Sequence, residues 1–257
     1  MVRLDITQEE LLSVLSNLDA ETLFQKLESV KPPKAEAQHK ESKSIKKKCD
    51  KWYFGWTIDR RTGKPIISRD TRLRPNLSKL IGYFASIHNI SHTTVQVTRN
   101  HPPGLDGLHS DFRDFCPQDL ISVGSFTGGE SWTHRFEENL GTKTSTRNNF
   151  VQMNGHLPHT VCPYEGIRWG LAYYDVAAAE SVNDVALALL TSAGFTAITS
   201  EEALRRAKAA GMQVKMVSPG RFGHMKNKNK FILNSESVII PVKDKYFIKF
   251  FFFYIFC

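Results

Sequence analysis

Cysteine is scarce in this chain: there are four in 257 residues, Cys49, Cys116, Cys162 and Cys257. That is too few for a disulfide scaffold of this length. No two form a C-x-x-C pair, so a thiolate zinc site is not expected. Both points favour a reducing compartment, cytoplasmic or nuclear. Residues 1–30 are acidic and amphipathic and lack the apolar core of a signal peptide. The sequons at Asn76-Leu77-Ser78 and Asn89-Ile90-Ser91 are therefore expected to be chance matches. An aromatic and aliphatic stretch does occur, from Tyr246 to Cys257, broken by Lys249. It is too short to cross a bilayer as a helix, and a membrane partner is not expected. Such a Phe run suits no packed element well, so a gene-model artefact is the preferred reading over a tail anchor. No internal repeat is present.

What remains is ordinary for a globular chain: 41% hydrophobic and 23% charged residues. The length allows one large domain, or one domain with additions. The net charge of +8 and pI of about 9.3 permit contact with nucleic acid or acidic surfaces without establishing it. The excess is uneven, with lysines dense from Lys34 to Lys51 and again from Lys226 to Lys230.

Residues 5–30 read as two short helices. Thr7 and Glu10 make a capping box ahead of Leu11, Leu12, Val14, Leu15 and Leu18, and Asp19 caps a second helix bearing Leu23, Phe24 and Leu27. This pair is either a docking hairpin or a cover for the core. Residues 31–50 read as a flexible, lysine-rich linker. Trp52 to Trp56 suits a strand, joined through Thr62-Gly63-Lys64 to Ile66-Ile67 as a hairpin. A helix over Asn76–Ile90 and a strand over Thr93–Thr98 follow. Short strands are then expected at Leu120–Val123, Glu130–Trp132, Asn149–Met153, His159–Val161 and Trp169–Val176, as in a β-sandwich or barrel. Two helices close the pattern, at Ser181–Ala193 and from Thr199 to near Gly211. The expected organisation is a helical segment (1–30), the linker (31–50), a domain with flanking helices (51–215) and a disordered basic and Phe-rich tail (216–257).

The chemistry concentrates in three places. In His109-Ser110-Asp111, residues i and i+2 share one face of a strand, so both side chains can hold one metal. The turn Asn154 to Pro158 delivers His159 to the start of a strand. Two histidines and one carboxylate favour non-haem iron(II) and leave coordination positions open; zinc is the competitor. Arg168, nine residues beyond His159, follows a turn at Pro163-Tyr164-Glu165-Gly166 that can return it beside His159. Its fork suits a carboxylate.

LHSDFRDF, ISVGSFTGGESW and NFVQMNGHLPHTVCPYEGIRWGLAYYDV together resemble the 2-oxoglutarate/Fe(II)-dependent dioxygenase superfamily. The likeness covers roughly residues 95–176 and rests on the order and spacing of the three motifs. It implies an α+β chain with a double-stranded β-helix (jelly-roll) core and flanking helices. It also implies His109, Asp111 and His159 as iron ligands, Arg168 as the anchor for the far carboxylate of 2-oxoglutarate, and O2 as co-substrate. Dioxygenases of this kind couple decarboxylation of 2-oxoglutarate to hydroxylation or oxidative demethylation. Ser131 departs from the Leu common in such sequences. No second 2-oxoglutarate contact is assigned, Asn100 being only a candidate. Gly128-Gly129 can form a tight turn between strands, and Trp132 can pack beneath the site; fold alone explains both equally well.

Two other readings stay open. One is a jelly-roll binding module without turnover. The other is a nucleic-acid base-modifying dioxygenase with weak contacts through the lysine-rich linker. A protein side chain, a nucleobase or a small metabolite is the substrate class in play. Deleting residues 245–257 should raise solubility and leave the cooperative unfolding transition intact. Loss of that transition, followed by circular dichroism, would show the tail to be core.

Overall fold

The computed structural model describes residues 3–30, 50–59, 61–100, 108–111, 116–135 and 140–212. The linker up to residue 49, both lysine clusters except Lys51, and the Phe-rich tail lie outside the described residues. None of the described helices is long and apolar enough to cross a membrane.

The chain opens with α1 (Gln8–Val14) and α2 (Ala20–Ser29). The expected capping box is present, with Glu10 N–H donating to Thr7 Oγ1 and Thr7 N–H to Glu10 Oε2. Asp19 accepts from Thr22 N–H at 2.8 Å and caps α2. Leu11, Leu18, Leu23 and Leu27 all enter the main hydrophobic core. This pair of helices covers the core.

Among the described residues the largest sheet has six strands, in the order β2-β1-β3-β11-β4-β8. These are β1 (Asp50–Ile58), β2 (Pro65–Ile67), β3 (Thr94–Asn100), β4 (Gln118–Val123), β8 (Val151–Met153) and β11 (Arg168–Tyr174). Two smaller sheets flank the sequence between them. One pairs β5 (Phe126–Gly128) with β10 (Tyr164–Gly166); the other places β6 (Ser131–Arg135) between β7 (Leu140–Thr144) and β9 (His159–Val161). Every named strand pair is antiparallel. The result is a mixed fold of helices and antiparallel sheets.

Register explains which residues are core. Trp169 stands opposite Arg99 and Val123, Leu171 opposite Val97 and Ile121, and Tyr173 opposite Val95 and Asp119. Cross-strand partners share a face and alternate residues share it along a strand. Val95, Val97, Ile121, Val123, Trp169, Leu171 and Tyr173 thus form one apolar face. It joins Leu23 and Leu27 of α2 and Leu77, Leu80, Ile81 and Phe84 of α4 (Pro75–Ile87) in a single cluster. Trp52 of β1 stacks on Trp169, with ring centroids 5.0 Å apart. The other face carries Gln96, Thr98, Gln118, Ser122 and Arg168, and is polar.

The expected elements are present, with ends shifted by one to three residues in most cases. The segment Pro163 to Gly166, expected as a turn, contains the short strand β10, because its backbone pairs with β5. Three further elements carried too weak a pattern to be expected: α3 (Arg69–Leu73), β5 and β7. The chain ends its described part with α5 (Asp184–Ser192) and α6 (Ser200–Ala209).

The N-terminal segment is pinned by one carboxylate. Asp5 accepts from the backbone N–H groups of Asn76 and Leu77, each at 3.0 Å, at the start of α4. Unsatisfied donors at a helix N-terminus favour such an anion. Asp5→Ala should cost about 1–2 kcal/mol of stability, read as a lower urea midpoint with an unchanged denaturant slope.

Candidate functional site

His109 and His159 are brought together by backbone, before any side chain takes part. They form an isolated antiparallel bridge. His109 N–H donates to His159 carbonyl oxygen at 3.1 Å, and His159 N–H to His109 carbonyl oxygen at 2.9 Å. Asp111 N–H then donates to Gly155 carbonyl oxygen at 2.8 Å, which keeps the extended course for two more residues. The expected strand around His109-Ser110-Asp111 is thus reduced to a bridge, yet the same-face spacing of i and i+2 survives. His159 itself begins β9 and is paired with Thr133 of β6.

The imidazole rings of His109 and His159 lie 4.4 Å apart, centroid to centroid. His159 Nε2 is 3.5 Å from Asp111 Oδ2. One ligand-type atom from each of the three residues falls within a cluster in which all are within 4.8 Å of one another. His159 is buried, Asp111 half-buried and His109 exposed.

Hydrogen bonds aim these donors. His159 Nδ1 lies 2.8 Å from Leu157 carbonyl oxygen. With a metal on Nε2, that contact would place the proton of the neutral ring on Nδ1. Gln118 Nε2 donates to Asp111 Oδ2 at 2.9 Å. Burial pushes the Asp111 carboxyl up; the hydrogen bonds to His159 and Gln118 and the nearby histidine rings outweigh it, and the net direction is downward. An ionised carboxylate and two imidazoles facing one point are a donor set that fits a divalent metal. The set is of the type used for non-haem iron(II).

Arg168 begins β11 on the polar face of the large sheet and is 4% exposed. Its guanidinium lies 5.7 Å from the Phe126 ring and 5.9 Å from the Tyr164 ring. Two glycines leave it room. A Cβ on Gly129 would sit 3.1 Å from Arg168 Cδ and Nε, and one on Gly170 would sit 3.1 Å from Nη1. The side chain therefore runs from Arg168 over Gly170, toward the end of the sheet where Gln118 holds Asp111. Gly129 is also at φ +75°, a left-handed conformation. It serves both the turn into β6 and the path of Arg168, more than the turn expected from sequence.

Trp132 is placed differently from expectation. His159 faces Thr133, and Trp132, one residue earlier on β6, points to the opposite side of that strand. Its indole occupies the space above Gly141 of β7. It does not pack beneath His159. Asn100 stands directly across from Arg168 in the β3–β11 register. Gln118 was not foreseen: a single polar residue at the start of an apolar strand carries no distinctive signal. His134 and His156 are half-buried and stand outside the ligand cluster, and His101 lies outside the described residues.

No protein-family model matches this chain, and no curated protein matches it. Among solved structures, the matches are to 2-oxoglutarate/Fe(II) oxygenases. One is an oxidoreductase of that family from Burkholderia pseudomallei, at 14% identity and TM-score 0.40, covering 68% of this chain and 94% of the other. Another is a prolyl-4-hydroxylase from Pseudomonas putida, at 11% identity and TM-score 0.36, covering 66% and 87%. A third is a prolyl hydroxylase from Trichoplax adhaerens in complex with a hypoxia-inducible-factor peptide fragment, at 16% identity and TM-score 0.36, covering 65% and 76%. With likeness this distant, what the site can do is judged from its own geometry.

That geometry makes Gln118 the support of Asp111. The Asp111 side chain is 42% exposed, which moderates the effect of one hydrogen bond. Gln118→Leu should cost about 1 kcal/mol, measured by urea unfolding of metal-free protein. A larger loss in Gln118→Leu/Asp111→Ala than in Asp111→Ala alone by the same amount would show that Gln118 acts elsewhere.

Proposed function

We propose that this chain is a 2-oxoglutarate- and Fe(II)-dependent dioxygenase, with the metal held by His109, Asp111 and His159 and the co-substrate's far carboxylate held by Arg168. The observation that carries this reading is the convergence of two imidazoles and a carboxylate from segments 48 residues apart in sequence (111 to 159) on one point. The proposed core is a double-stranded β-helix, in which the large sheet supplies one wall and the small sheets the other, within a domain spanning residues 51–215.

Iron(II) bound there, with 2-oxoglutarate and O2, would supply the coupling of co-substrate decarboxylation to oxidation of a C–H bond, giving succinate and carbon dioxide. The chain's own residues have separate tasks. His159, fixed by Leu157, and Asp111, fixed by Gln118, arrive with their donor atoms already aimed, so little ordering is left to metal binding. Arg168 supplies a buried, permanently charged fork for a carboxylate. Phe126 and Tyr164 wall the guanidinium and limit water around it, which strengthens the ion pair it can form. The exposed side at His109 leaves an approach for the substrate. Proteins, nucleic acids and small molecules all remain within the substrate class of such a site.

Metal and co-substrate contacts separate in the test. His109→Ala, Asp111→Ala and His159→Ala should each lose iron(II). Arg168→Ala should keep iron(II) and raise the 2-oxoglutarate requirement roughly 30- to 1000-fold, on the order of 2–4 kcal/mol. Arg168→Lys should recover part of this, since the charge remains and the fork does not. Metal content and 2-oxoglutarate titration with succinate as readout decide it. If Asp111→Ala binds iron and turns over 2-oxoglutarate like the parent chain, the site is wrongly assigned.

A further inference from the structure

A second group of ligand-type side chains lies buried at one end of the large sheet. His92 precedes β3, Cys116 precedes β4, Asp119 is the second residue of β4, and Asp175 follows β11. His92 Nδ1 is 2.6 Å from Asp175 Oδ2, and His92 Nε2 is 2.7 Å from Asp119 Oδ2. Cys116 Sγ is 2.9 Å from Asp175 Oδ2 and 3.9 Å from His92 Nδ1. The backbone N–H of Thr93 donates to Asp175 Oδ1 at 2.8 Å and fixes which oxygen faces the group. Cys116 and Asp175 are 0% exposed and His92 is 3% exposed. This cluster shares no residue with the site built on His109, Asp111 and His159.

We propose that His92, Cys116 and Asp175 form a second metal site, of structural type and selective for zinc, with Asp119 orienting the His92 ring. Two features support it. The donors are a thiol sulfur, an imidazole nitrogen and a carboxylate oxygen, all within 4.8 Å of one another. A sulfur ligand disfavours magnesium and calcium and suits zinc. The remaining ring nitrogen of His92 is already paired with a carboxylate, the arrangement that fixes the ring of a metal-bound histidine.

Binding of zinc(II) would release the protons on His92 Nδ1 and Cys116 Sγ. The short contacts of Asp175 Oδ2 to His92 and Cys116 are the hydrogen bonds that these protons make, and the metal takes their place.

Cobalt(II) is the probe that separates this site from the first, because only this one offers a thiolate. Full-length protein stripped with chelator is titrated with Co(II) and followed in the near ultraviolet. A thiolate-to-cobalt charge-transfer band should grow to one equivalent per chain and be abolished by added Zn(II). It should persist in His109→Ala, which disables the first site, and in Cys162→Ser, and vanish in Cys116→Ser. Asp119→Asn keeps all three ligands and should weaken Co(II) binding roughly 10- to 100-fold, which serves if Cys116→Ser does not fold. Absence of the band in the folded parent chain, its survival in Cys116→Ser, or unchanged affinity in Asp119→Asn overturns the proposal. Failure of iron binding in His109→Ala with the band intact bears on the first site alone.

Discussion

Trp169 of β11 stands opposite Arg99 of β3 and Val123 of β4, and this register decides what each face of the three central strands presents. A slip of one residue would turn every side chain of β11 to the other face. Arg168 would enter the core and Trp169 would leave it. The register is held from the apolar side, where Trp169 stacks on Trp52 and the Tyr173 hydroxyl donates to Ile81 carbonyl oxygen in α4. Helix packing on one face thus sets the position of a cation on the other.

The same alternation divides the beginning of β4 between two clusters. Gln118 points to the polar face and donates to Asp111, while Asp119, its neighbour, points the other way and pairs with His92. Two groups of metal-ligand type therefore meet one strand end from opposite sides. The buried group ties together the starts of β3 and β4 and the end of β11. Cys116 is five residues beyond Asp111 in sequence, so the two groups are neighbours along the chain.

Much of the fold was legible in residue order. The capping box at Thr7 and Glu10, the β-branched run at Thr94 to Thr98 and the apolar period of α4 are local signals, and each element has its own. The weak elements were not legible for the same reason. β5, β7 and β10 are three to five residues long and exist because a partner strand supplies hydrogen bonds. In Tyr164 to Gly166 the local preference is for a turn, and pairing with β5 overrides it. The first site was legible because two of its residues stand at i and i+2 in sequence and the third follows a distinctive turn. The His92 cluster was not: its four residues are scattered over 83 positions (92 to 175), and Cys116 belongs to no C-x-x-C pair.

By itself, the sequence determined the residue types at the first site, their spacing and the helices that cover the core, because these follow from local chemistry and periodicity. Tertiary structure alone decided that Gly129 and Gly170 clear a path for Arg168, that Trp132 turns away from His159, and that Gln118 supports Asp111. It also alone gathered His92, Cys116, Asp119 and Asp175. Each of these depends on which strands pair and in what register, and pairing between distant segments is set by the whole core rather than by any stretch of the chain.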